Sequence, residues 1–305
     1  MLRPWTPDLV SLDLLLSVAE LGSVSRAAAA HGLSQPSAST RLARLERQLG
    51  VQVLDRTSRG SSLTPAGEAV LAWATAVVNA ARELTDGVES LRGHAEARVR
   101  VAASLTVAEY LLPGWLLALR RRHPDVEVVA AVENSRAVAA QVAAGQADVG
   151  FVESPLVPDG LERTVVGHDR LVLVVGHDGP VAAGAEVSGA DLVGLPLLLR
   201  ETGSGTRETF LQALTQLLGE PPALPHADAL GSTATILATA RAGGGIGVVS
   251  ARAAAGDLAT GALGEVRVPG LLTERPLTAV WPTSGCTPLA RELVEVAAAA
   301  GTSSV

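Results

Sequence analysis

Lysine, sulfur-containing residues, aromatic residues and long apolar runs are scarce or missing in this chain of 305 residues. Because no run of roughly 18 or more apolar residues is uninterrupted, we expect no membrane span. The single cysteine, Cys286, cannot form a disulfide within the chain, and the first residues lack the basic and apolar regions of a secretion signal. These features favour a cytoplasmic location.

Sequence patterns typical of catalysis and of metal binding are also missing. The six histidines do not fall at the spacing of metal ligands, and the segment GSGT at 203–206 lacks the lysine of a phosphate-binding P-loop. No nucleophile-elbow pattern is found either. We therefore predict that the protein is not an enzyme and that it carries no cofactor or metal.

Charge is distributed unevenly along the chain, whose formal net charge is −7. Residues 1–64 contain seven arginines and five acidic residues, whereas the remainder has an excess of acidic residues. Every basic residue is arginine, for which a GC-rich genome is the simplest explanation. A small basic module on an acidic body is nevertheless the pattern expected when one part of a chain binds a polyanion.

Three short helices and a hairpin are predicted within the first 64 residues. Apolar spacing indicates a helix over 8–21, and the alanine-rich segment 23–32 indicates a second. Ser34 can cap a third helix, which ends at Gly50. One buried face of this helix consists of Ala38, Leu42, Leu45 and Leu49. Two strand-like pieces around 59–60 follow, so the order of elements predicts a winged helix-turn-helix.

A long helix is predicted to begin at Thr64-Pro65 and to continue to about residue 92, because a hydroxyl cap followed by proline is a strong start signal. Apolar residues recur at every seventh position along it, namely at Val70, Val77, Leu84 and Leu91. A seam of this period favours helix–helix dimerisation. The alternative is a helix that packs only within its own domain.

Strand-like and helical segments alternate after residue 98. This alternation predicts parallel sheets covered by helices, in two lobes at roughly 98–165 and 168–270, and a final strand and helix close the chain. Since hydrophobic residues make up 48% of the chain but aromatic residues only 2%, we expect Leu, Val and Ala to fill the cores.

The exposed face of the third helix carries hydroxyl, amide and guanidinium groups, which can bond base edges in the major groove or phosphate oxygens beside it. The predicted DNA-binding residues of this helix and its cap are Ser34, Gln35, Ser37, Ser39, Thr40, Arg41 and Arg44. Arg56 and Arg59 suit a wing that lies along the DNA backbone or minor groove. The alternative is a solvated helix whose arginines pair with Glu46 or Asp55.

The segment GSVSRAAAAHGLSQPSASTRLARLERQLGVQVLDRTSRGSSLTPAG resembles the N-terminal signature of LysR-type transcriptional regulators. The resemblance implies a winged helix-turn-helix at 1–64, a linker and dimerisation helix at 65–95, and a two-lobed α/β effector domain at 96–305 similar to type 2 periplasmic binding proteins. It places the recognition helix at Gln35, Pro36, Ser37 and Ser39, and the wing at Arg56 and Arg59. One departure is Thr40, where the family often has arginine.

Three strand ends of the predicted effector domain carry hydroxyl or amide groups. Ligands in open α/β sheets collect at such ends, beside helix N-termini, where small residues let backbone N–H groups approach an oxyanion. The predicted effector-binding residues are Ser104, Thr106, Asn134, Ser135, Thr202, Gly203, Ser204, Gly205 and Thr206. The alternative for each hydroxyl is a simple helix cap. Arg200 and Arg207 flank the last segment and add charge there, or pair with Glu201 and Glu208.

The segments TVAEYLLP and RETGSGTRE are similar to family members linked to sulfur assimilation and carbon fixation, which implies a small oxyanion or a phosphorylated metabolite as the effector. The family also implies a homodimer or homotetramer. Because a two-fold dimer presents two recognition helices, the DNA partner is predicted to be an imperfect palindrome. The alternative function is a soluble solute-binding or transferase-like α/β protein whose N-terminal helices serve only assembly.

Overall fold

A computed structural model describes residues 3, 5–57, 60–91, 98–155 and 158–302. The chain forms two compact units, Met1–Ala95 and Glu96–Val305.

The first unit contains four helices and a two-stranded hairpin. Its elements are α1 (Leu9–Leu21), α2 (Val24–Ala30), α3 (Gln35–Leu49), β1 (Leu54–Thr57), β2 (Gly60–Leu63) and α4 (Pro65–Leu91). Asp8, Ser23 and Ser34 cap the first three helices with their side chains. Gly22 and Gly50 end α1 and α3 at φ +63° and +71°, a backbone conformation that favours glycine.

The core of this unit is almost entirely aliphatic. Leu14 and Leu15 of α1 pack with Leu42 and Leu45 of α3, and Val78 of α4 closes the same cluster. The hairpin is held to α3 by Glu46, whose Oε1 accepts hydrogen bonds from the backbone of residues 53 and 54 at 3.0 and 3.2 Å. The hairpin position therefore depends on the third helix.

The second unit contains the remaining nine strands and eight helices of the described residues. The strands are β3 (Arg98–Ser104), β4 (Glu127–Glu133), β5 (Val149–Val152), β6 (Leu161–Val175), β7 (Leu197–Arg200), β8 (Ala227–Leu230), β9 (Ile246–Ser250), β10 (Gly264–Val266) and β11 (Glu274–Pro282). The helices are α5 (Leu105–Tyr110), α6 (Leu112–Arg122), α7 (Ser135–Ala143), α8 (Gly189–Leu192), α9 (Gly205–Leu218), α10 (Thr233–Arg241), α11 (Ala251–Thr260) and α12 (Pro288–Thr302).

One nine-stranded sheet runs through this unit in the order β4-β3-β5-β11-β6-β9-β7-β8, with β10 beside β6. The strands β3, β4 and β5 are parallel to one another, as are β7, β8 and β9. The expectation of parallel sheets is therefore correct on both sides. It is wrong in the middle, where β6 and β11 run antiparallel to their neighbours.

The two central strands explain this difference. The strand β6 is 15 residues long and leaves the first lobe, made of β3–β5 with α5–α7 and α12, to enter the second lobe, made of β7–β10 with α8–α11. β11 returns beside it, from Glu274 opposite Arg170 to Pro282 opposite Leu161. The predicted lobe boundary at 165–168 consequently falls inside one continuous strand.

Separate aliphatic clusters stabilise the two lobes. The first lobe packs around Phe151 and Trp115, whose ring centroids lie 4.9 Å apart. The second packs around Phe210 and the leucines of β7. Among the described helices, none is both long enough and apolar enough to cross a membrane.

Candidate functional site

The helix α3 turns a polar face to solvent because its apolar residues recur on the opposite side. Ala38, Leu42 and Leu45 are buried. The exposed residues of the predicted recognition surface are Ser34, Gln35, Pro36, Ser37, Thr40 and Arg44, whereas Ser39 and Arg41 are half-buried. The structure thus brings the predicted residues of this helix together on one accessible surface.

Local hydrogen bonds order the start of this helix. Ser34 caps it through the N–H of Ser37, and the two hydroxyl oxygens lie 2.8 Å apart. The Thr40 hydroxyl donates to the carbonyl oxygen of Pro36 at 2.9 Å. These side chains are therefore held in defined positions at the surface.

The arginines of α3 differ in their partners. Arg41 Nη1 lies 2.9 Å from Oδ1 of Asp8, the cap of α1, so neither Glu46 nor Asp55 is its partner. Burial alone would raise the pKa of Asp8, but hydrogen bonds with Ser11 and the Arg41 charge outweigh it, and the net pKa is lowered. Arg44 has no ion-pair partner among the described residues.

The predicted wing is only partly described. The backbone of Arg56 pairs with Ser61 in the β1–β2 hairpin, but its side chain is outside the described part of the structure. Arg59 lies outside the described residues altogether.

The helix α4 carries an exposed apolar stripe beside its buried face. Ala74 and Val78 are buried against the helices of the first unit, whereas Trp73, Val77 and Leu84 are exposed, Trp73 and Leu84 to 70% each. At 100° per residue these three side chains share one side of the helix. A helix that packs only within its own domain would leave these apolar side chains in water, so the stripe favours the prediction of helix–helix dimerisation.

The effector residues predicted from sequence lie at three helix starts that follow strands. Ser104 precedes α5 at the end of β3, Asn134 precedes α7 at the end of β4, and Ser204 precedes α9 after β7. Asn134 caps its helix by accepting from the N–H of Ala137 at 3.0 Å. Ser104 and Ser204 make no capping hydrogen bond. A simple capping role therefore explains Asn134 but not the two serines.

Close contacts bring the helix starts of α7 and α9 together across the lobes. The N–H of Arg136 donates to the carbonyl oxygen of Gly203 at 3.1 Å. A Cβ on Gly205 would lie 2.8 Å from the Ser135 hydroxyl oxygen and 2.7 Å from the backbone nitrogen of Ser154. Only glycine allows this approach. Among the predicted residues here, Thr202 alone is exposed.

A buried arginine, which the sequence analysis did not single out, joins the remaining helix starts. Arg275 of β11 is 1% exposed. It donates two hydrogen bonds to Oδ2 of Asp169, at 3.0 and 2.7 Å, one to Thr206 at 3.0 Å and one to Thr106 at 3.5 Å. The only sequence signal for it is one arginine at the start of an otherwise apolar strand.

Glu153, like Arg275 and Asp169, is a buried charged residue that the sequence patterns did not identify. The Ser104 hydroxyl donates to its Oε2, and its Oε1 lies 3.8 Å from Nη1 of Arg275. Burial raises the pKa of this carboxyl, although Arg275 and a hydrogen bond with Thr106 act in the opposite direction. The residue follows β5 directly, so its signal in the sequence was an acidic residue at a strand end.

The two arginines that flank the loop before α9 have different roles. Arg200 is buried and pairs with Glu201, with Nε 2.8 Å from Oε2. Burial would raise the pKa of Glu201, but hydrogen bonds from Arg200 outweigh it, and the net pKa is lowered. Arg207 donates to the carbonyl oxygen of Arg200 at 3.2 Å. Glu208 instead pairs with Arg136 and accepts from Ser154.

Two buried hydroxyl groups near the helix starts have no hydrogen-bond partner. These are Ser135 Oγ and Thr209 Oγ1. A buried hydroxyl without a partner costs free energy, so the Ser135 hydroxyl beside Gly205 is an available donor for a bound molecule. No group of three or more metal-binding side chains occurs among the residues that the structure covers.

Two family profiles match the chain. Residues 9–68 match "Bacterial regulatory helix-turn-helix protein, lysR family", and residues 92–302 match "LysR substrate binding domain". The first match covers the three helices, the hairpin and the start of α4, and the second covers the two lobes.

Known proteins are similar over most of the chain. The uncharacterized HTH-type transcriptional regulator Rv2282c of Mycobacterium tuberculosis is 42% identical over 294 residues, with 92% of each chain covered. The uncharacterized HTH-type transcriptional regulator YeiE of Escherichia coli K12 is 32% identical over 258 residues, with 85% of each covered. A full-length variant of OxyR from Pseudomonas aeruginosa has a similar fold, with TM-score 0.68, 22% identity, and 96% and 95% of the two chains covered.

Proposed function

Because the chain belongs to the LysR family of bacterial transcriptional regulators, we propose that it reads a palindromic operator through α3 and responds to an oxyanion or phosphorylated metabolite. The protein is a DNA-binding regulator with an effector-binding domain rather than an enzyme. Family membership argues against the alternative of a solute-binding or transferase-like protein whose N-terminal helices serve only assembly. We place the regulator in the cytoplasm, where the DNA is.

The DNA-binding proposal is carried by the surface of α3. Its exposed Gln35, Ser37, Thr40 and Arg44 are the side-chain types that bond base edges and phosphates, and the helix start adds backbone N–H groups for phosphate. Arg44 has no acidic partner among the residues that the structure describes, whereas the charge of Arg41 is shared between DNA and Asp8. Arg44 is therefore the stronger candidate for a phosphate or base contact.

Arg44→Ala is expected to weaken binding to the DNA upstream of the protein's own coding region about tenfold, as expected for one lost arginine contact of about 1–3 kcal/mol. The slope of log affinity against log salt should also become shallower by about one, because one fewer counterion is released. Fluorescence anisotropy at several salt concentrations measures both quantities. Arg163→Ala, an exposed change in the effector domain, is the charge-matched control. An unchanged slope for the Arg44 variant would remove this residue from the interface.

The oligomer proposal is carried by the apolar stripe of α4. Two such helices packed along Trp73, Val77 and Leu84 remove large apolar side chains from water, which favours association. A two-fold dimer presents two copies of α3 about 34 Å apart, which matches half-sites one helical turn apart. We extend this dimer to a homotetramer, as the family resemblance implies.

The anionic-effector proposal is carried by the unpartnered hydroxyl of Ser135. This buried donor lies beside the start of α9, where Ser204 is buried without a capping bond and Gly205 allows the Ser135 hydroxyl to approach the helix closely. The positive ends of α7 and α9 favour negative charge at this point. Small oxyanions and phosphate groups accept several hydrogen bonds at once and therefore match this set of donors.

Ser135→Ala is expected to weaken anion binding about tenfold while leaving the free protein as stable as before or slightly more stable. The physical reason is that the hydroxyl has no partner to lose in the free protein. Calorimetric titration with inorganic sulfate and thermal unfolding measure the two effects. Thr209→Val is the matched control. It also removes an unpartnered buried hydroxyl, but one that lies a full turn after the start of α9 and away from the proposed anion position. Equal sulfate affinity in wild type and the Ser135 variant would contradict the proposed position of the anion.

A further inference from the structure

Two buried carboxyl groups, those of Asp169 and Glu153, lie close to the same buried arginine, Arg275. Arg275 directs two of its hydrogen bonds to Asp169 and one each to Thr106 and Thr206. Its contact with Glu153 is a 3.8 Å approach of charges without a hydrogen bond. Among the described residues, no cationic side chain therefore donates a hydrogen bond to Glu153, although it is 1% exposed.

The other charged groups around Glu153 are already paired. They are Asp169 of β6, which Arg275 bonds, and Arg200 of β7. Arg200 bonds Glu201, and Arg252 lies 3.9 Å from Asp169. None of these arginines supplies a hydrogen bond to Glu153.

The proposed anion position shares its walls with Glu153. Ser104 donates to the Glu153 carboxyl, and a Cβ on Gly205 would lie 2.8 Å from the Glu153 carbonyl carbon as well as from the Ser135 hydroxyl. An oxyanion seated on Ser135 and the start of α9 would thus lie beside the main chain of Glu153. The carboxyl group of Glu153 is close to the same helix start, because it lies 3.8 Å from Arg275, which bonds Thr206 of α9. An ionised carboxylate beside it would repel the anion, whereas a protonated carboxyl group can donate a hydrogen bond to it.

We infer that Glu153 holds a proton whenever the anion is bound, so that the cleft takes up its oxyanion together with one proton. This inference rests on the proposed anionic effector and adds the group that sets its protonation requirement. Any proton not already on Glu153 comes from solvent, and no bond other than that O–H bond forms. Burial, which raises the pKa of Glu153 in the free protein, acts in the same direction.

The sign of the pH dependence follows. Below the pKa of Glu153 in the free protein, the proton is already present and anion affinity is constant. Above that pKa, each anion must bring a proton, so affinity falls by about tenfold per pH unit and proton uptake approaches one per anion. Glu153 thereby favours anion binding at lower pH.

Calorimetric titration of the full-length protein with inorganic sulfate tests this inference between about pH 6 and pH 9, where sulfate itself does not titrate. Repeating each titration in two buffers of different ionisation enthalpy counts the protons taken up by wild type. Glu153→Gln should bind sulfate with the low-pH affinity of wild type at every pH and take up no proton. Glu162→Gln, an exposed change on β6, should keep the wild-type profile. The same titration of the Ser135→Ala variant shows which part of the measured heat comes from sulfate bound in the cleft.

The possible outcomes separate the two proposals. A constant wild-type affinity that is below that of Glu153→Gln at every pH, or a pH profile and proton uptake that persist unchanged in Glu153→Gln, would overturn the coupled proton alone. Absence of cleft binding at every pH would contradict the oxyanion effector and, with it, the coupled proton. If Glu153→Gln does not fold, a wild-type proton uptake that rises towards one per anion with increasing pH still supports the coupled proton, and proton release on sulfate binding would overturn it.

Discussion

Replacing Arg275 with methionine is expected to lower the free energy of unfolding of the effector domain by about 3–5 kcal/mol, because it leaves a buried ion pair with one partner. Asp169 would lose two hydrogen bonds, and Thr106 and Thr206 would lose one each, with no water to replace them. Methionine fills part of the volume, so the loss is mainly electrostatic. Urea denaturation followed through the buried Trp115 measures it.

The matched control for this prediction is Arg170→Met. Arg170 lies opposite Glu274 on the same pair of strands, but it is exposed and pairs with Glu265 at 3.2 Å. Surface ion pairs contribute about 0–1 kcal/mol, so this variant should unfold nearly as wild type does. If the two variants differ by less than about 1 kcal/mol, the buried arginine does not stabilise the lobes as argued.

Replacing Leu84 with aspartate is expected to raise the dimer dissociation constant at least about a hundredfold. Burying a leucine contributes about 1.5–3 kcal/mol, a two-fold interface contains the residue twice, and each 1.4 kcal/mol is a factor of ten. The two aspartates would also face each other along the seam. Sedimentation velocity measures the association state, and operator binding should weaken because one subunit then contacts one half-site.

Ala72→Asp is the control for this second prediction. Ala72 is exposed about 120° around α4 from Leu84 and away from the apolar stripe, so the same charge there should leave association unchanged. Dimers that persist in the Leu84 variant, or that are lost equally in both variants, would show that the apolar stripe of α4 is not the interface.

Most of the DNA-binding unit follows from local signals in the sequence. Ser34, Pro36 and Gly50 bound α3 as predicted, and the spacing of Ala38, Leu42 and Leu45 correctly identified its buried face. Arg41 shows the limit of this approach. Its partner, Asp8, lies 33 positions earlier in the chain, on another helix, and no local pattern links the two.

The effector cleft was predictable in one respect and not in another. Hydroxyl-bearing segments at strand ends pointed to Ser104, Ser135 and Ser204, because parallel strands end at a common edge of the sheet. The antiparallel course of β6 and β11 was not foreseen, because only the apolar end of β6 at 171–175 read as a strand and nothing in either segment indicates strand direction. Arg275 and Glu153 were missed because no local sequence pattern distinguishes a buried charged residue from an exposed one.

By itself, the amino-acid sequence determined where helices and strands begin, which helix faces are apolar and which strand ends carry polar groups, because these depend on spacing and capping over a few residues. The tertiary structure alone decided that Arg275 meets Asp169, which is 106 positions away, and Thr106, which is 169 positions away. Buried charges are stable only where the fold supplies their partners. The chemistry inside the cleft is therefore set by the packing of the two lobes.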